Sequence, residues 1–279
     1  MTVREALQDA GRRLKAAGCD VPHVDAELLL ASALGVSRTE LHARSDRSLE
    51  ADAARRFAAL VERRERREPT AYILGESGFR DLVLRVDPRV LVPRPDTETV
   101  VERALAHVHD LPEPLVLDIG TGSGAIALAV ASEHPGARVV ATDISADALA
   151  LAAENRARAG LESRVELVLG HLVAGLRGPF DLVVSNPPYV PPEEWDSLPP
   201  EIRLYEPYEA VVGTGQTDAI ARRAREVLRP GGWLVLESYD TRAPDVAAGL
   251  RALGYEDVAV HRDLAGRERA VEGRQRAAG

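Results

Sequence analysis

Apolar residues recur at helical spacing through the first quarter of the chain. Ala10 and Leu14 lie four positions apart, and the same spacing continues in further segments downstream. Ser37 and Glu40 form a candidate capping box at the start of one of these helices. We therefore predict a helical domain over residues 1–68.

Two short segments after the helices alternate between apolar and polar positions. Residues 72–75 and 82–86 have the pattern of strands, and glycine and Asp-Pro lie at the breaks. This pattern predicts a β-hairpin. We assign residues 69–95 to a hairpin linker.

Strand-like and helix-like segments alternate from residue 115 onward. The strand candidates are residues 115–119, 138–142, 165–169, 180–185, 233–238 and 258–262. The helical stretches between them include residues 124–132, 146–157, 219–228 and 246–253. This alternation is typical of an α/β fold with a mostly parallel sheet covered on both faces. We assign this α/β domain to residues 96–279.

Composition and charge narrow the class of protein. The 279 residues are 45% hydrophobic, enough for a packed core, and the net charge of −9 disfavours attraction to nucleic acid. Cys19 is the sole cysteine, which excludes an intrachain disulfide and fits a reducing cytosol. The N-terminus has no apolar signal core, and no run reaches the length of a membrane span. We expect a cytoplasmic monomer that binds neither membranes nor nucleic acid directly. We interpret the charged run 62–68 as a solvated helix face, with a nucleic-acid-binding patch as the alternative.

The tetrapeptide Asn186-Pro187-Pro188-Tyr189 follows the apolar run 180–185 directly. Two adjacent prolines fix the backbone and remove two N–H donors. The Asn186 amide and the Pro187 carbonyl are then expected at the carboxyl end of a strand, where open α/β sheets bind ligands. Two acceptors followed by an aromatic ring suit a planar NH2 group. The alternative is a rigid turn without chemistry.

A glycine-rich turn follows the first strand of the α/β domain, with glycines at positions 120, 122 and 124. These glycines permit a tight turn and close approach of a ligand, and the next helix offers free N–H groups at its start. Asp143 lies about 20 residues further on, where an acidic residue binds ribose hydroxyls in nucleotide sites. An adenosine-type ligand is favoured. A purely structural turn and a helix-capping role for Asp143 are the alternatives.

With these motifs the chain resembles the class I S-adenosylmethionine-dependent methyltransferases. More narrowly, it resembles the peptide chain release factor N5-glutamine methyltransferases. The resemblance covers nearly the whole chain and is also carried by residues 68–75 (EPTAYILG), by residues 92–98 (VPRPDTE) and by Glu206-Pro207. It implies a Rossmann-like fold with a mostly parallel seven-stranded sheet, S-adenosylmethionine as the cofactor and release factors as the protein partner. It also implies that the helical domain recognises the substrate.

The resemblance further implies a set of site residues. The cofactor site would comprise Gly120, Thr121, Gly122, Ser123, Gly124, Asp143, His171 and Asn186. The substrate glutamine would contact Asn186, Pro187, Pro188 and Tyr189, of which Asn186, Pro187 and Tyr189 are the expected catalytic residues. His171 stands where the family often has an acidic residue beside the adenine, and a solvent-facing loop histidine is the alternative. No metal is expected.

Several functions share these motifs. The expected reaction is methyl transfer to the side-chain amide nitrogen, N5, of the glutamine in the Gly-Gly-Gln motif of release factors. An N6-adenine nucleic acid methyltransferase is one alternative, because it must also hold a planar NH2 group for methylation. Such enzymes usually need base flipping and a target-recognition region with a basic channel. This chain has neither an evident extra domain nor a basic balance of charge. Glutamine methylation of a ribosomal protein is a closer alternative. A non-catalytic adapter with the same fold would fail to bind the cofactor.

Overall fold

The computed structural model describes residues 1–277, which form two compact units. The first unit contains Met1–Glu76 and Leu198–Tyr205, and the second contains Ser77–Ser197 with the described residues from Glu206 onward. The helices in chain order are α1 (Val3–Ala16), α2 (Pro22–Leu34), α3 (Arg38–Ala43), α4 (Ala51–Glu65), α5 (Thr70–Leu74), α6 (Glu98–Val108), α7 (Ala125–Glu133), α8 (Ala146–Arg158), α9 (Pro200–Tyr205), α10 (Tyr208–Val211), α11 (Gln216–Ala224) and α12 (Ala243–Ala252). The strands are β1 (Glu76–Phe79), β2 (Leu82–Arg85), β3 (Leu115–Ile119), β4 (Arg138–Asp143), β5 (Val165–Leu169), β6 (Phe180–Ser185), β7 (Leu228–Glu237), β8 (Glu256–Arg262) and β9 (Glu268–Arg274).

Local signals in the sequence account for the helices of the first unit. Thr2 and Glu5 form a capping box at the start of α1, and Ser37 and Glu40 form the predicted one at the start of α3. The core between these helices consists of fully buried apolar side chains such as Leu14, Leu29, Leu30 and Leu41. The helical character predicted for this part of the chain is confirmed. No helix among residues 1–277 has both the length and the apolar composition needed to cross a bilayer.

Residues 72–75 are not a strand as predicted. Residues up to Leu74 belong to the short helix α5, and Gly75 ends it in the left-handed conformation at φ +76°. A short apolar run does not distinguish a strand from a buried turn of helix by periodicity, which explains the error. The two-stranded hairpin is formed by β1 and β2 instead.

The charged run at the end of α4 is only partly solvated, contrary to the prediction. Arg64 is buried, and its guanidinium lies 2.9 Å from the Asp25 carboxylate and 2.8 Å from the Glu201 carboxylate. Arg67 binds the other oxygen of Glu201 at 2.7 Å. Because carboxylates of the same unit neutralise these two arginines, the run does not form a free basic patch around them.

The second unit is built on a seven-stranded sheet with the order β5-β4-β3-β6-β7-β9-β8. Neighbours from β5 through β7 are parallel, while β9 runs antiparallel to both β7 and β8. Apolar clusters cover both faces of this sheet, as the unbroken apolar runs of its central strands predict. The predicted α/β fold with a mostly parallel seven-stranded sheet is confirmed.

The order of the strands places a crevice beside β3. The chain goes from β3 to β4 on one side, and later returns to β6 on the other side. The loops that leave β3 and β6 therefore diverge in opposite directions, and open α/β sheets bind their ligands at such a point. The glycine turn and the Asn-Pro-Pro-Tyr segment both start there.

Candidate active site

A cavity of about 650 Å³ opens at the carboxyl ends of the parallel strands. Its lining residues come from segments 89–97, 119–126, 142–148, 170–172, 185–188 and 207–220. All of these segments belong to the second unit. Four of them contain the residues that the sequence indicated, so the fold brings the glycine turn, Asp143, His171 and Asn186 into one cavity.

The glycine turn is tied to the neighbouring strand by its backbone. The N–H groups of Gly120 and Thr121 donate to the carbonyl oxygen of Thr142 at 2.8 and 2.9 Å. Gly120 and Gly122 have φ values of +74° and +55°, a region that favours glycine. The turn is thus held close to β4, and its glycines present backbone rather than side chains to the cavity.

The last glycine of the turn has a packing position instead. Gly124 is the N-cap of α7 and does not line the cavity, and a Cβ there would lie 3.0 Å from Leu128. The preceding Ser123 carbonyl accepts a hydrogen bond from the buried Asn155 side chain at 2.8 Å. The same Asn155 amide binds the backbone of Arg85 on the hairpin, at 2.7 and 3.0 Å. Asn155 therefore fixes the turn from beneath.

Asp143 ends β4 at the cavity wall and holds two backbone amides. Its Oδ2 accepts from the N–H of Gly122 at 2.8 Å, and its Oδ1 accepts from the N–H of Ser145 at 2.9 Å. The N-cap of α8 is Ser145, whose hydroxyl accepts from Ala148 at 3.1 Å. Asp143 is therefore not the N-cap of α8, which was the alternative role predicted from the sequence. Each of its carboxylate oxygens retains a further lone pair.

Asp118 is a buried acid beneath the turn. Its Oδ2 accepts the hydroxyl proton of Thr121 at 2.7 Å, and the residue has no exposed surface. Burial raises the pKa of Asp118 to about 7, while the Thr121 hydrogen bond acts in the opposite direction. The Thr121 hydroxyl is therefore engaged inside the protein.

The Asn-Pro-Pro-Tyr segment divides between the cavity wall and the interior. Asn186, Pro187 and Pro188 line the cavity, and Pro187 is buried. The side-chain nitrogen of Asn186 donates to the hydroxyl oxygen of Thr97 at 3.2 Å. Tyr189 is absent from the lining residues, and its hydroxyl lies instead 3.3 Å from Glu237 Oε1.

Glu237 joins Thr97 and Tyr189 and was not identified from the sequence. The residue is 1% exposed, and its Oε2 accepts the Thr97 hydroxyl proton at 2.5 Å. Burial raises the pKa of Glu237 to about 7, although the Thr97 hydrogen bond and the charge of Arg269 act in the opposite direction. The available signal was an acidic residue at the end of the apolar run Trp233-Leu-Val-Leu. Its partner Thr97 lies in the VPRPDTE segment that carried the family resemblance.

An ion pair that was not predicted from the sequence joins two of the segments that resemble the family. Arg94 lines the cavity, and its Nη2 lies 2.7 Å from both carboxylate oxygens of the buried Glu206. Glu206 begins the Glu-Pro motif. This ion pair connects the Glu-Pro motif to the VPRPDTE segment, so a residue of each motif has a structural role.

The remaining predicted residue, His171, is exposed at the cavity wall beside Leu172. Ile144 follows Asp143 in the same wall and is 70% exposed, which is unusual for a large apolar side chain. This residue was also missed, because nothing in a single sequence distinguishes an exposed isoleucine from a buried one. Within residues 1–277, no group of three or more His, Cys, Asp or Glu side chains is arranged to hold a metal ion.

Comparison with solved structures agrees with this fold. A 16S rRNA methyltransferase of T. thermophilus, RsmC, solved in complex with AdoMet and guanosine, superposes with a TM-score of 0.53. The sequences are 18% identical, and the match covers 72% of this chain and 50% of that one. At this identity the likeness shows the methyltransferase fold alone.

Sequence comparison is more specific. The PrmC N-terminal domain matches residues 5–75, and the Methyltransferase small domain matches residues 102–197. A release factor glutamine methyltransferase of Deinococcus radiodurans is 42% identical over 279 residues, covering 99% of each chain. One of Moorella thermoacetica is 43% identical over 276 residues, covering 96% of this chain and 97% of the relative. The resemblance inferred from the motifs is confirmed: this chain belongs to the release factor glutamine methyltransferase family.

Proposed function

We propose that this protein transfers a methyl group from S-adenosylmethionine to N5 of the glutamine in the Gly-Gly-Gln motif of peptide chain release factors. The observation that carries the proposal is that Asn186 and Pro187 share one cavity with the glycine turn and Asp143. A site for an amide and a site for a ribose thus lie side by side. Relatives with the name release factor glutamine methyltransferase match over nearly the full chain, which supports the substrate class.

The residues at the glycine turn fit the cofactor. Each oxygen of Asp143 accepts one backbone amide and can still accept a ribose hydroxyl. Gly120 and Gly122 permit close approach, and the cavity has the size of a small-molecule site. When bound, the cofactor supplies a methyl group already activated by its sulfonium. Ile144 and His171 offer an apolar contact and an imidazole for the adenine on the same wall.

Asn186 and Pro187 would orient the substrate. A carboxamide nitrogen is a weak nucleophile because its lone pair is delocalised into the carbonyl. Two acceptors, the Asn186 Oδ1 and the Pro187 carbonyl oxygen, would take its two N–H bonds, favour pyramidal geometry and aim the lone pair. Fixed acceptors of this kind accelerate a reaction by orientation and by electrostatic stabilisation of the transition state. The proton can leave after transfer, so no general base is assigned.

Tyr189 and Pro188 would complete the substrate site. Pro188 lines the cavity directly, whereas the Tyr189 hydroxyl is bound to Glu237. This hydrogen bond would hold the ring and, through the rigid prolines, the backbone of the motif. The helical domain, residues 1–68, would recognise the protein substrate. The hairpin linker, residues 69–95, would connect it to the catalytic domain, residues 96–279.

Transfer of a labelled methyl group tests the function. The protein is incubated with methyl-labelled S-adenosylmethionine and, in separate reactions, with purified release factor, ribosomal protein and DNA. We expect label on release factor, and we expect none when the glutamine of its Gly-Gly-Gln motif is replaced. Label on ribosomal protein or DNA alone would assign the alternative substrate, and no label with any substrate would contradict enzyme function.

A further inference from the structure

The proposed role of Asn186 requires its side-chain amide to have one particular orientation. The oxygen and the NH2 group of an asparagine are nearly equal in size, so packing scarcely distinguishes the two orientations. Only the oxygen accepts an N–H from a substrate amide. A hydrogen-bonded neighbour must therefore determine which end of the Asn186 amide faces the cavity.

Thr97 and Glu237 form a chain of hydrogen bonds with a defined direction. The hydroxyl oxygen of Thr97 lies 2.5 Å from Glu237 Oε2 and 3.2 Å from the side-chain nitrogen of Asn186. A hydroxyl has one proton, and an ionised carboxylate only accepts. The Thr97 proton must then go to Glu237, which leaves only lone pairs facing Asn186. Those lone pairs accept from an NH2 group and repel a carbonyl oxygen.

We propose that Thr97 and Glu237 are positioning residues that keep the side-chain oxygen of Asn186 turned toward the cavity. The inference rests on the proposed function, because amide methylation is what requires that oxygen as an acceptor. Thr97 touches the Asn186 amide directly, whereas Glu237 acts through Thr97. Both are buried, so water does not compete for these bonds.

The surroundings of Glu237 imply a dependence on pH. The Tyr189 hydroxyl, the Arg269 guanidinium on β9 and the Asp96 carboxylate before α6 are the groups that act on it electrostatically. Burial raises the pKa of Glu237 to about 7. Once protonated, Glu237 can donate to Thr97, and the Thr97 proton can turn toward Asn186 and favour the reversed amide. The productive orientation is therefore expected to be lost as the pH falls through about 7.

Asparagine NMR tests the orientation without any substrate. The chain contains two asparagines, Asn155 and Asn186, so protein labelled with ¹⁵N-asparagine gives two side-chain NH2 signals. Asn155 is an internal control, since its NH2 group binds the carbonyls of Arg85 and Ser123. In Thr97→Val, which keeps the shape and removes the hydroxyl, the Asn186 signal should shift while the Asn155 signal stays. Thr97→Ser should restore the wild-type Asn186 signal.

Kinetics provide the second readout. In Thr97→Val, the kcat/KM for release factor should fall about tenfold or more, as expected for loss of a buried hydrogen bond, while the KM for S-adenosylmethionine stays the same. Thr97→Ser should recover most of the activity. The matched control is Thr241→Val, because Thr241 is exposed four positions after Glu237.

A pH titration adds a test that requires no disruptive variant. In the wild-type protein the Asn186 signal should titrate with a midpoint near 7, and in Glu237→Gln this titration should be absent. The inference is overturned if the Asn186 signal changes neither with pH nor in Thr97→Val. It is also overturned if Thr97→Val retains full activity. If Thr97→Val fails to fold, the Asn155 signal will shift as well. The pH titration of the wild-type protein and of Glu237→Gln then tests the inference. If wild-type protein methylates no release factor, the proposed function fails separately, and the NMR result still stands.

Discussion

Asp143 Oδ2 accepts a hydrogen bond from the backbone N–H of Gly122 at 2.8 Å, which joins the end of β4 to the glycine turn after β3. The acidic residue thus shapes the turn in addition to facing the cavity. A substitution at Asp143 should therefore affect both the turn and any direct contact with the ribose.

Asp143→Ala should weaken the binding of S-adenosylmethionine. The variant loses the acceptor for the Gly122 amide and the proposed acceptor for the ribose hydroxyls. Each lost bond to a charged group is worth about 1.5–3 kcal/mol. We expect the Kd to rise by about tenfold to a hundredfold in isothermal titration calorimetry. Asp147→Ala is the control, because Asp147 is exposed on α8 and outside the cavity. Equal affinity in Asp143→Ala and wild type would contradict the assignment of the ribose site.

Asn186→Ala should abolish methyl transfer and leave cofactor binding largely intact. The substitution removes the side-chain acceptor proposed for the substrate amide, while Asp143 and the glycine turn remain. Transfer of labelled methyl and calorimetric binding of S-adenosylmethionine measure the two effects independently. Full activity in this variant would remove Asn186 from the mechanism.

Arg64→Gln should destabilise the helical unit. The change leaves the Asp25 carboxylate without its buried cation and leaves Glu201 with Arg67 alone. Breaking a buried pair in this way costs about 3–5 kcal/mol. Urea unfolding followed by circular dichroism measures the loss. Arg12→Gln is the matched control, since the pair between Arg12 and Asp9 is exposed and its removal should leave the midpoint unchanged. Equal midpoints for the two variants would show that the buried pair is not stabilising.

Glu272 should make the stability of the second unit sensitive to acid. Burial acts to raise the pKa of Glu272, but hydrogen bonds from His107 and Arg103 outweigh it and hold the pKa at about 2. Because this is below the unfolded value of 4.5, the stabilisation is complete above pH 4.5 and is lost as the pH falls toward 2. Glu272→Gln should flatten the dependence of the unfolding free energy on pH in this window. An unchanged slope in the variant would contradict this assignment.

Much of the fold was predictable because its strands bury both faces. The run Phe180–Ser185 is apolar through Leu182, Val183 and Val184, and all three are fully buried. Strand β9 was missed because its charged residues are paired inside the protein, as Glu272 is with Arg103. A charged residue normally indicates solvent, and its partner lies 169 positions away in the sequence. Local patterns do not contain that information.

The candidate site likewise contains residues that the sequence predicted and residues that it did not. The motif residues from Gly120 to Ser123, with Asp143, Asn186 and Pro187, meet in one cavity as the sequence indicated. Thr97 and Glu237 were not predicted, because they are 140 positions apart and only the folded chain brings them to Asn186 and Tyr189. A local pattern does not show which residues at such a separation become partners. The same reason applies to Arg94 and Glu206.

Tandem mass spectrometry of the methylated release factor tests the central claim most directly. The release factor is incubated with this protein and S-adenosylmethionine, digested, and the modified residue is located from the fragment ions. We predict a mass increase of one methyl group on the side chain of the glutamine in the Gly-Gly-Gln motif, absent when Asn186→Ala replaces the wild-type protein. A methyl group on any other residue would contradict the account. So would an unmodified motif in a release factor that a control methyltransferase methylates completely.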